Sequence, residues 1–211
     1  MAHPAQDKLT FVVLGRSGSG KGTQARLLIE RLKGAGVCHM ETGRFIRTLM
    51  IQYDNPSTHI AREAMAHGRI HPSWFAAYGW LREFIEGGCA AHHLVFDGAC
   101  RRMWEAKLLD EVMKWHQRSL PLCIYIDVSR REAYRRLLSR GRADDKPATI
   151  KNRLDYFPRE VMPVVRYYQA AGRMIRVSGE FAPEGVWEQI DAALHKRLGK
   201  AWPLPSKRPK K

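Results

Sequence analysis

The chain has 211 residues, 45% of them apolar and 27% charged, with a net charge of +15. That length and apolar fraction suit one compact domain, the lack of any run of about 18 apolar residues excludes a membrane-spanning helix, and the opening MAHPAQDK has no apolar stretch of the signal-peptide kind. Cys38, Cys89, Cys100 and Cys123 are scattered without C-x-x-C spacing, which argues against a zinc site and a disulfide framework; Cys38 and Cys123 read as small buried hydrophobes, and a cytoplasmic protein is expected.

The first predicted element is a strand over Thr10 to Leu14. It runs into Gly15, Ser17, Gly18, Ser19, Gly20, Lys21, Gly22 and Thr23, then into a helix from Gln24 to Lys33. Strand, glycine loop, helix is the order of a phosphate-binding P-loop. Such a cradle needs backbone N–H groups turned inward, and glycine both clears the approach and allows left-handed turns. The helix start adds partial positive charge, Lys21 a full one, and Thr23 a hydroxyl for Mg²⁺. The alternative reading of a glycine-rich loop is a plain surface turn. The hydroxyl residue stands one place later than in the commonest P-loop, and this G-x-x-G-x-G-K-G-T-Q variant resembles the adenylate kinase family of nucleoside monophosphate kinases.

Gly34 and Gly36 close the first helix, and Val37 to Met40 suit a second strand. Thr42, Gly43 and Arg47 follow; the resemblance implies an acceptor site for AMP here. By itself Arg47 reads as a solvated arginine on an amphipathic helix. Arg44 departs from the family, which has an acidic residue there. A helix is expected from Thr58 to His67, capped by Ser57 or Thr58. Gly68, Arg69, Ile70 and His71 resemble the family turn whose backbone touches the acceptor's adenine; His71 itself reads as structural. Ser73 caps an aromatic-rich helix to about Glu86, whose rings read as core.

His93 to Gly98 is a short apolar strand ending in Asp97, an acid placed to orient Mg²⁺ or its water. Arg101 matches the family's acceptor-clamping arginine, but Ala99 and Cys100 replace an aromatic residue and a proline. Glu105 stands where the family has glutamine, at the head of a helix from about Trp104 to His116. As Arg101 is close, the ionised form of Glu105 is expected. Leu122 to Val128 is hydrophobic throughout, as buried parallel strands are. Ser129 caps a helix through Ser139. Arg136, Arg140, Arg142, Asp144, Asp145 and Arg153 then resemble the family's lid in its short form, over 141–147. Pro158 and Pro163 should kink or segment the helix that carries Arg153. Met174 to Val177 is a fifth strand, Ser178-Gly179-Glu180 resembles the turn under the adenine of ATP, and Ala182 to Leu198 is a closing helix.

Five strands alternating with helices predict a doubly wound α/β fold with helices on both faces, a P-loop NTPase with ligands at the carboxyl ends of the strands. The resemblance implies a kinase domain over 1–198 with a nucleoside-monophosphate insert at 42–72, and a reaction of ATP with AMP or another nucleoside monophosphate. It assigns Lys21 and the loop amides to the donor's β- and γ-phosphates, Arg140, Arg142 and Arg153 to the transferred group, Arg47 and Arg101 to the acceptor phosphate, and Arg136 to the donor adenine. Gly98 joins the acceptor site. Mg²⁺ accompanies ATP, and no zinc is expected. Guanine, cytosine or uracil monophosphates as acceptors, a kinase of another small acceptor, and a nucleotide-binding protein that has lost catalysis stay open as alternatives.

Five cations lie in the last dozen residues, and removing them leaves +10 of the +15. Residues 199–211 are therefore expected to be a basic disordered tail, solvated or, in the sharper reading, a weak contact for nucleic acid. Neither a membrane nor a second subunit is expected; the chain should be a monomer.

Overall fold

A computed structural model describes residues 8–203 except Ala143. Its centre is a five-stranded, wholly parallel sheet in the order β2-β3-β1-β4-β5, with β1 Thr10–Gly15, β2 Val37–Glu41, β3 His93–Asp97, β4 Leu122–Asp127 and β5 Met174–Ser178. The register aligns Gly15 with Ile126, Glu41 with Asp97 and Asp127 with Ser178, so the strands end along one edge. All five expected strands are present and start where predicted; β1, β2 and β5 run one residue further, and β3 and β4 end one residue earlier.

Alternation along β1 divides the core. Val12 and Leu14 face a cluster under α4 (Ser73–Glu86), α5 (Met103–Trp115) and α8 (Met162–Ala170). Phe11 and Val13 face the other cluster, under α1 (Lys21–Leu32), α6 (Arg130–Arg140), α7 (Pro147–Tyr156) and α9 (Pro183–Leu198). Both clusters are built of apolar side chains, as a parallel sheet covered on both faces requires. Between β2 and α4 lie α2 (Thr42–Gln52) and α3 (Pro56–Ala66), which share a small separate cluster of Ile46, Ala61 and Phe75.

Local signals behave as their chemistry dictates. Ser129 caps α6 by accepting from the Glu132 N–H at 3.2 Å. The predicted segmentation by proline is a five-residue π turn, Phe157–Val161, between α7 and α8. The cap of α3 differs from expectation: it is Asn55, whose Oδ1 accepts from the Thr58 N–H, while Thr58 Oγ1 accepts from the Asn55 N–H, with Pro56 in the first turn. Pro56 starts the helix before Ser57 or Thr58 can cap it.

Two expectations are corrected. Cys38 and Cys89 form a disulfide with Cα atoms 5.9 Å apart, so only Cys100 and Cys123 are free and buried. No local spacing announces the bond, because the partners are brought together by β2 and the turn before β3. The segment from Gly199 is not a free tail at its start. Gly199–Ala201 is a 3₁₀ turn, and Trp202 is 1% exposed, its ring edge-on to Phe11 at 5.9 Å and its Nε1–H donating to Asp191 Oδ1 at 2.8 Å. Residues 204–211 lie outside the described residues. No helix among the described residues is long and apolar enough to cross a membrane.

Candidate active site

The strand ends open into a cleft of about 550 Å³. Its floor is the glycine loop between β1 and α1. Gly18 sits at φ +83, and a Cβ there would lie 2.6 Å from the Ala133 carbonyl oxygen and 2.9 Å from Leu137 Cγ, because α6 crosses over the loop. Only glycine satisfies both the left-handed backbone and the approach. Lys21 folds back along the loop and donates to the carbonyls of Gly15 at 2.8 Å and Arg16 at 2.7 Å. Burial, then Arg101, and further Arg140 push its ammonium down to about 7, against the pull of Asp97. A cationic group so desolvated and crowded is a site for anions. Arg16 stacks on Phe157 at 4.6 Å and donates to the Val128 carbonyl, fixing the loop against the π turn.

One wall comes from β2, α2, α3 and the turn before α4. Thr42, Gly43, Arg47, Arg69, Ile70 and His71 all line it. The Thr42 hydroxyl and His39 Nε2 are buried with no partner in the protein. Buried polar groups are ordinarily paired, so these two are candidates for ligand contacts. Arg47 holds Glu41 at 3.1 Å, and Arg69 pairs with Glu63. Arg44 points elsewhere, to Glu83 at 3.2 Å. His71 behaves structurally: Nε2 meets the Ala61 carbonyl at 3.2 Å and the ring stacks on Phe75. Burial, opposed by that backbone contact, and then Arg101 lower its pKa.

Behind β3, Asp97, Gly98, Arg101 and Glu105 reach the same cleft. Ala99 and Cys100 are completely buried, and Cys100 adopts φ +54. Packing, not a proline ring, holds the loop that aims Arg101. The Arg101 guanidinium donates to the Tyr156 hydroxyl at 3.2 Å. Glu105 is 1% exposed, and its Oε2 accepts from the Arg101 N–H at 3.3 Å. Burial raises the Glu105 pKa and outweighs the opposing effect of Arg101. The expectation that Arg101 would dominate is corrected in direction: the guanidinium lies near, but desolvation is the larger influence.

The third wall is the bend between α6 and α7. Asp145 is a buried hub: Arg140 holds both its oxygens at 2.8 Å, Arg153 reaches Oδ1 at 3.2 Å, and the Arg142 N–H donates to Oδ2 at 3.2 Å. Burial pushes this carboxyl up, but those contacts hold it below its ordinary range. Arg153 also pairs with Asp144. Arg136 is held by Glu132 at 2.6 Å and donates to the Gly179 carbonyl at 2.8 Å. Gly179 must be glycine, as a Cβ would lie 2.4 Å from Val128 Cγ2.

Lys21, Arg101, Arg140, Arg142 and Arg153 therefore share one cleft, with Ser17, Gly18, Gly20, Gly22, Thr23 and Arg136. Three anticipated binding residues are not on its wall. Gly15 lies behind Lys21, Ser19 is buried with an unpartnered hydroxyl, and Gly179 stands behind Arg136. The sequence reading missed Tyr156, Arg26 and His39, which also line the cleft. Tyr156 could have been found three residues after Arg153, on the same helix face.

A P-loop at the carboxyl edge of a parallel sheet, facing a second arginine-rich wall across one cleft, defines a P-loop phosphotransferase with room for two phosphorylated ligands. The Adenylate kinase family model matches residues 13–173. The chain is 35% identical to an adenylate kinase of Corynebacterium urealyticum, covering 89% of this chain and 100% of that one. It is 32% identical to one of Thermus thermophilus, covering 87% and 95%, and 29% identical to one of Parabacteroides distasonis, covering 89% and 98%. The chain belongs to the adenylate kinase family. It is a nucleoside monophosphate kinase, not a kinase of an unrelated small acceptor.

Proposed function

We propose that the chain catalyses ATP + AMP ⇌ 2 ADP in the cleft described above, with the residue roles that follow. The observation that carries this reading is the meeting of Lys21, Arg101, Arg140, Arg142 and Arg153 around one cavity. Lys21 and the amides of Ser17 to Gly22 take the donor's β- and γ-phosphates. Arg47 and Arg101 clamp the acceptor phosphate, and Thr42, Gly43, Gly98 and the turn Arg69-Ile70-His71 bound the acceptor nucleoside. Arg140, Arg142 and Arg153 surround the phosphoryl group in flight, and Arg136 lies on the donor adenine.

Phosphoryl transfer asks for alignment and cations more than covalent chemistry. The acceptor phosphate is already ionised, so no side chain has to remove a proton. Arg140 and Arg153 are held in advance by Asp145 and Asp144, so less freedom is lost when the substrates arrive. Lys21 gains its full charge as the phosphates replace the two carbonyls it now contacts. Thr23 and Asp97 offer hard oxygens on the cleft wall beside the loop, a donor set that fits Mg²⁺. That ion, when bound, neutralises phosphate charge. Closure of 141–147 over the donor and of 42–72 over the acceptor would exclude water and protect ATP from hydrolysis. The substrates favour a cytoplasmic location; the Cys38–Cys89 disulfide argues the other way, since cytosolic thiols are kept reduced.

The test is a coupled assay for ADP formation from ATP with AMP, in the parent and in Lys21→Ala. The variant should lose at least about 10²-fold in kcat, the scale for one electrostatic donor, with its circular dichroism unchanged. Activity within threefold of the parent would remove Lys21 from the mechanism.

A further inference from the structure

The arginines of the cleft are not all held alike. Arg47 is paired with Glu41, Arg136 with Glu132, Arg140 with Asp145, and Arg153 with Asp144 and Asp145. Arg101 is held in another way. Among the described residues its guanidinium has one hydrogen-bond partner, and that partner is neutral: the Tyr156 hydroxyl accepts from Nη1 at 3.2 Å. Glu105 takes the backbone N–H of Arg101 and not the guanidinium. A carboxylate would orient the guanidinium and also cancel part of its charge, whereas a hydroxyl orients it and leaves the charge for an anion. On its other side the guanidinium lies against Gly98, where a Cβ would stand 2.9 Å from Arg101 Nη2. Tyr156 is the last residue of α7, and Phe157 opens the π turn. Phe157 is buried, its ring lies 4.6 Å under the Arg16 guanidinium, and Arg16 Nη1 donates to the Val128 carbonyl at 2.9 Å. Two consecutive residues therefore reach the two sides of the reaction, Tyr156 the acceptor's arginine and Phe157 the donor's loop. Gly15, Lys21, Gly98, Arg101, Tyr156 and Phe157 line one small cavity where these parts meet. Single π turns inside helices are frequent at functional sites.

We propose that Tyr156 is a positioning residue for the phosphotransfer: its hydroxyl fixes the Arg101 guanidinium, and with it the acceptor phosphate, relative to the glycine loop that holds the donor. This role rests on the phosphotransfer reading and deepens it. In-line transfer depends on alignment, and a misplacement of about 1 Å can cost 10²-fold in rate. A long arginine side chain free in a cleft carries its rotamer freedom into the encounter. The Tyr156 hydroxyl removes that freedom before the acceptor arrives, without setting a negative charge beside the guanidinium. Phe157, next in the chain, is fixed in the core beneath Arg16, so the acceptor's arginine is referenced to the donor's loop through a single peptide unit. The competing role for Tyr156 is packing alone, in which the ring fills the cavity and the hydroxyl does nothing.

The experiment is Tyr156→Phe, which keeps the ring and removes the hydroxyl, with kcat and both KM values measured for ADP formation from ATP and AMP. The kcat/KM for AMP should fall at least about tenfold, the scale of a hydrogen bond to a charged group. Part of that loss should appear in kcat, because alignment acts on the transition state, while KM for ATP and Tm stay at their parent values. Arg101→Met takes away the guanidinium that Tyr156 holds. Adding Tyr156→Phe to it should cost less than about twofold further. A ring that only packs would give the same result in both backgrounds. Parent-like kcat/KM for AMP in Tyr156→Phe overturns the positioning role, as does an equal loss for AMP and ATP. An undiminished loss in the Arg101→Met background also overturns it. In each of these cases the parent still makes ADP and the phosphotransfer reading stands; a parent that makes no ADP overturns that reading and the role of Tyr156 with it.

Discussion

If the acceptor base meets the cleft wall at Glu105, which base is preferred is decided by the protonation of that side chain. Its carboxyl is buried on the cleft wall, one oxygen takes the Arg101 N–H, and burial favours the neutral acid. A neutral carboxyl carries one O–H donor beside an acceptor and so can do what an amide does; an ionised one only accepts. Adenine offers an acceptor at N1 and a donor at N6, which suits the neutral acid. Guanine offers two donors on that edge, which suits the carboxylate. The sign follows from the raised pKa. Stability contributed by the neutral form is complete below the ordinary glutamate value of 4.5 and declines as pH rises through the higher folded value. The preference for AMP over GMP, read as the ratio of their kcat/KM values, should fall as pH rises through that same window. In Glu105→Gln the ratio should be flat with pH and higher for AMP, since a mismatched buried polar contact costs on the order of 1–3 kcal/mol. A parent preference that does not move with pH, or a glutamine variant that gains nothing with AMP, would exclude Glu105 from acceptor choice. The identity of this residue was legible in the sequence but the direction of its pKa shift was not, because desolvation depends on what the fold stacks around it.

At the scale of elements, the segments with strong local chemistry were legible and those joined across distance were not. The strand-loop-helix at Thr10–Leu32, the Ser129 cap and the breaks at Pro158 and Pro163 each follow from neighbours in sequence. The arginines of the third wall were recognisable by spacing, yet Asp145 as their buried hub emerged only from the bend between α6 and α7. The Cys38–Cys89 bond is the clearest case of distance. It spans 51 residues and encloses α2, α3 and α4, that is, most of the cleft wall that runs from β2 to the turn before α4. Closing a loop of that length restricts the unfolded chain by about 4 kcal/mol in the chain-entropy account, with 2–4 kcal/mol typical. Reduction with dithiothreitol, or Cys38→Ser with Cys89→Ser, should lower Tm by roughly 5–15 °C for a chain of this size. It should also raise KM for AMP more than KM for ATP, since β2 leads directly into Thr42 and Gly43. An unchanged Tm in the double variant would mean that the enclosed helices hold their places without the bond.

The whole molecule is two apolar layers on one sheet, and its last described residues complete one of them. Composition made 199–211 look unable to pack, because KAWPLPSKRPKK carries so little apolar surface. A single tryptophan is nevertheless enough to anchor a chain end when its ring fills a gap and its N–H finds a partner. Trp202 does both. It covers Phe11 at the start of the central strand and joins the layer built by α1 and α9. Arg31 lies over its ring at 5.7 Å while pairing with Asp191, so the indole, the guanidinium and the carboxylate form one closed set. Trp202→Ala removes the ring and leaves the Asp191 acceptor and the Phe11 face uncovered. Large-to-small changes of this kind cost about 3–5 kcal/mol, which lowers Tm by roughly 10 °C in a chain of this length. Ending the chain at Leu198 should do the same, whereas ending it at Pro203 should leave Tm unchanged. Differential scanning calorimetry of the three variants separates the anchor from the basic residues beyond it. Equal melting of parent and Trp202→Ala would show that the layer closes without the indole. Destabilisation by the Pro203 truncation would place the anchor further along the chain. Because α1 begins at Lys21 and ends against this set, loosening it should also lower kcat for ADP formation at temperatures where the variant is still folded, through the helix that carries the glycine loop.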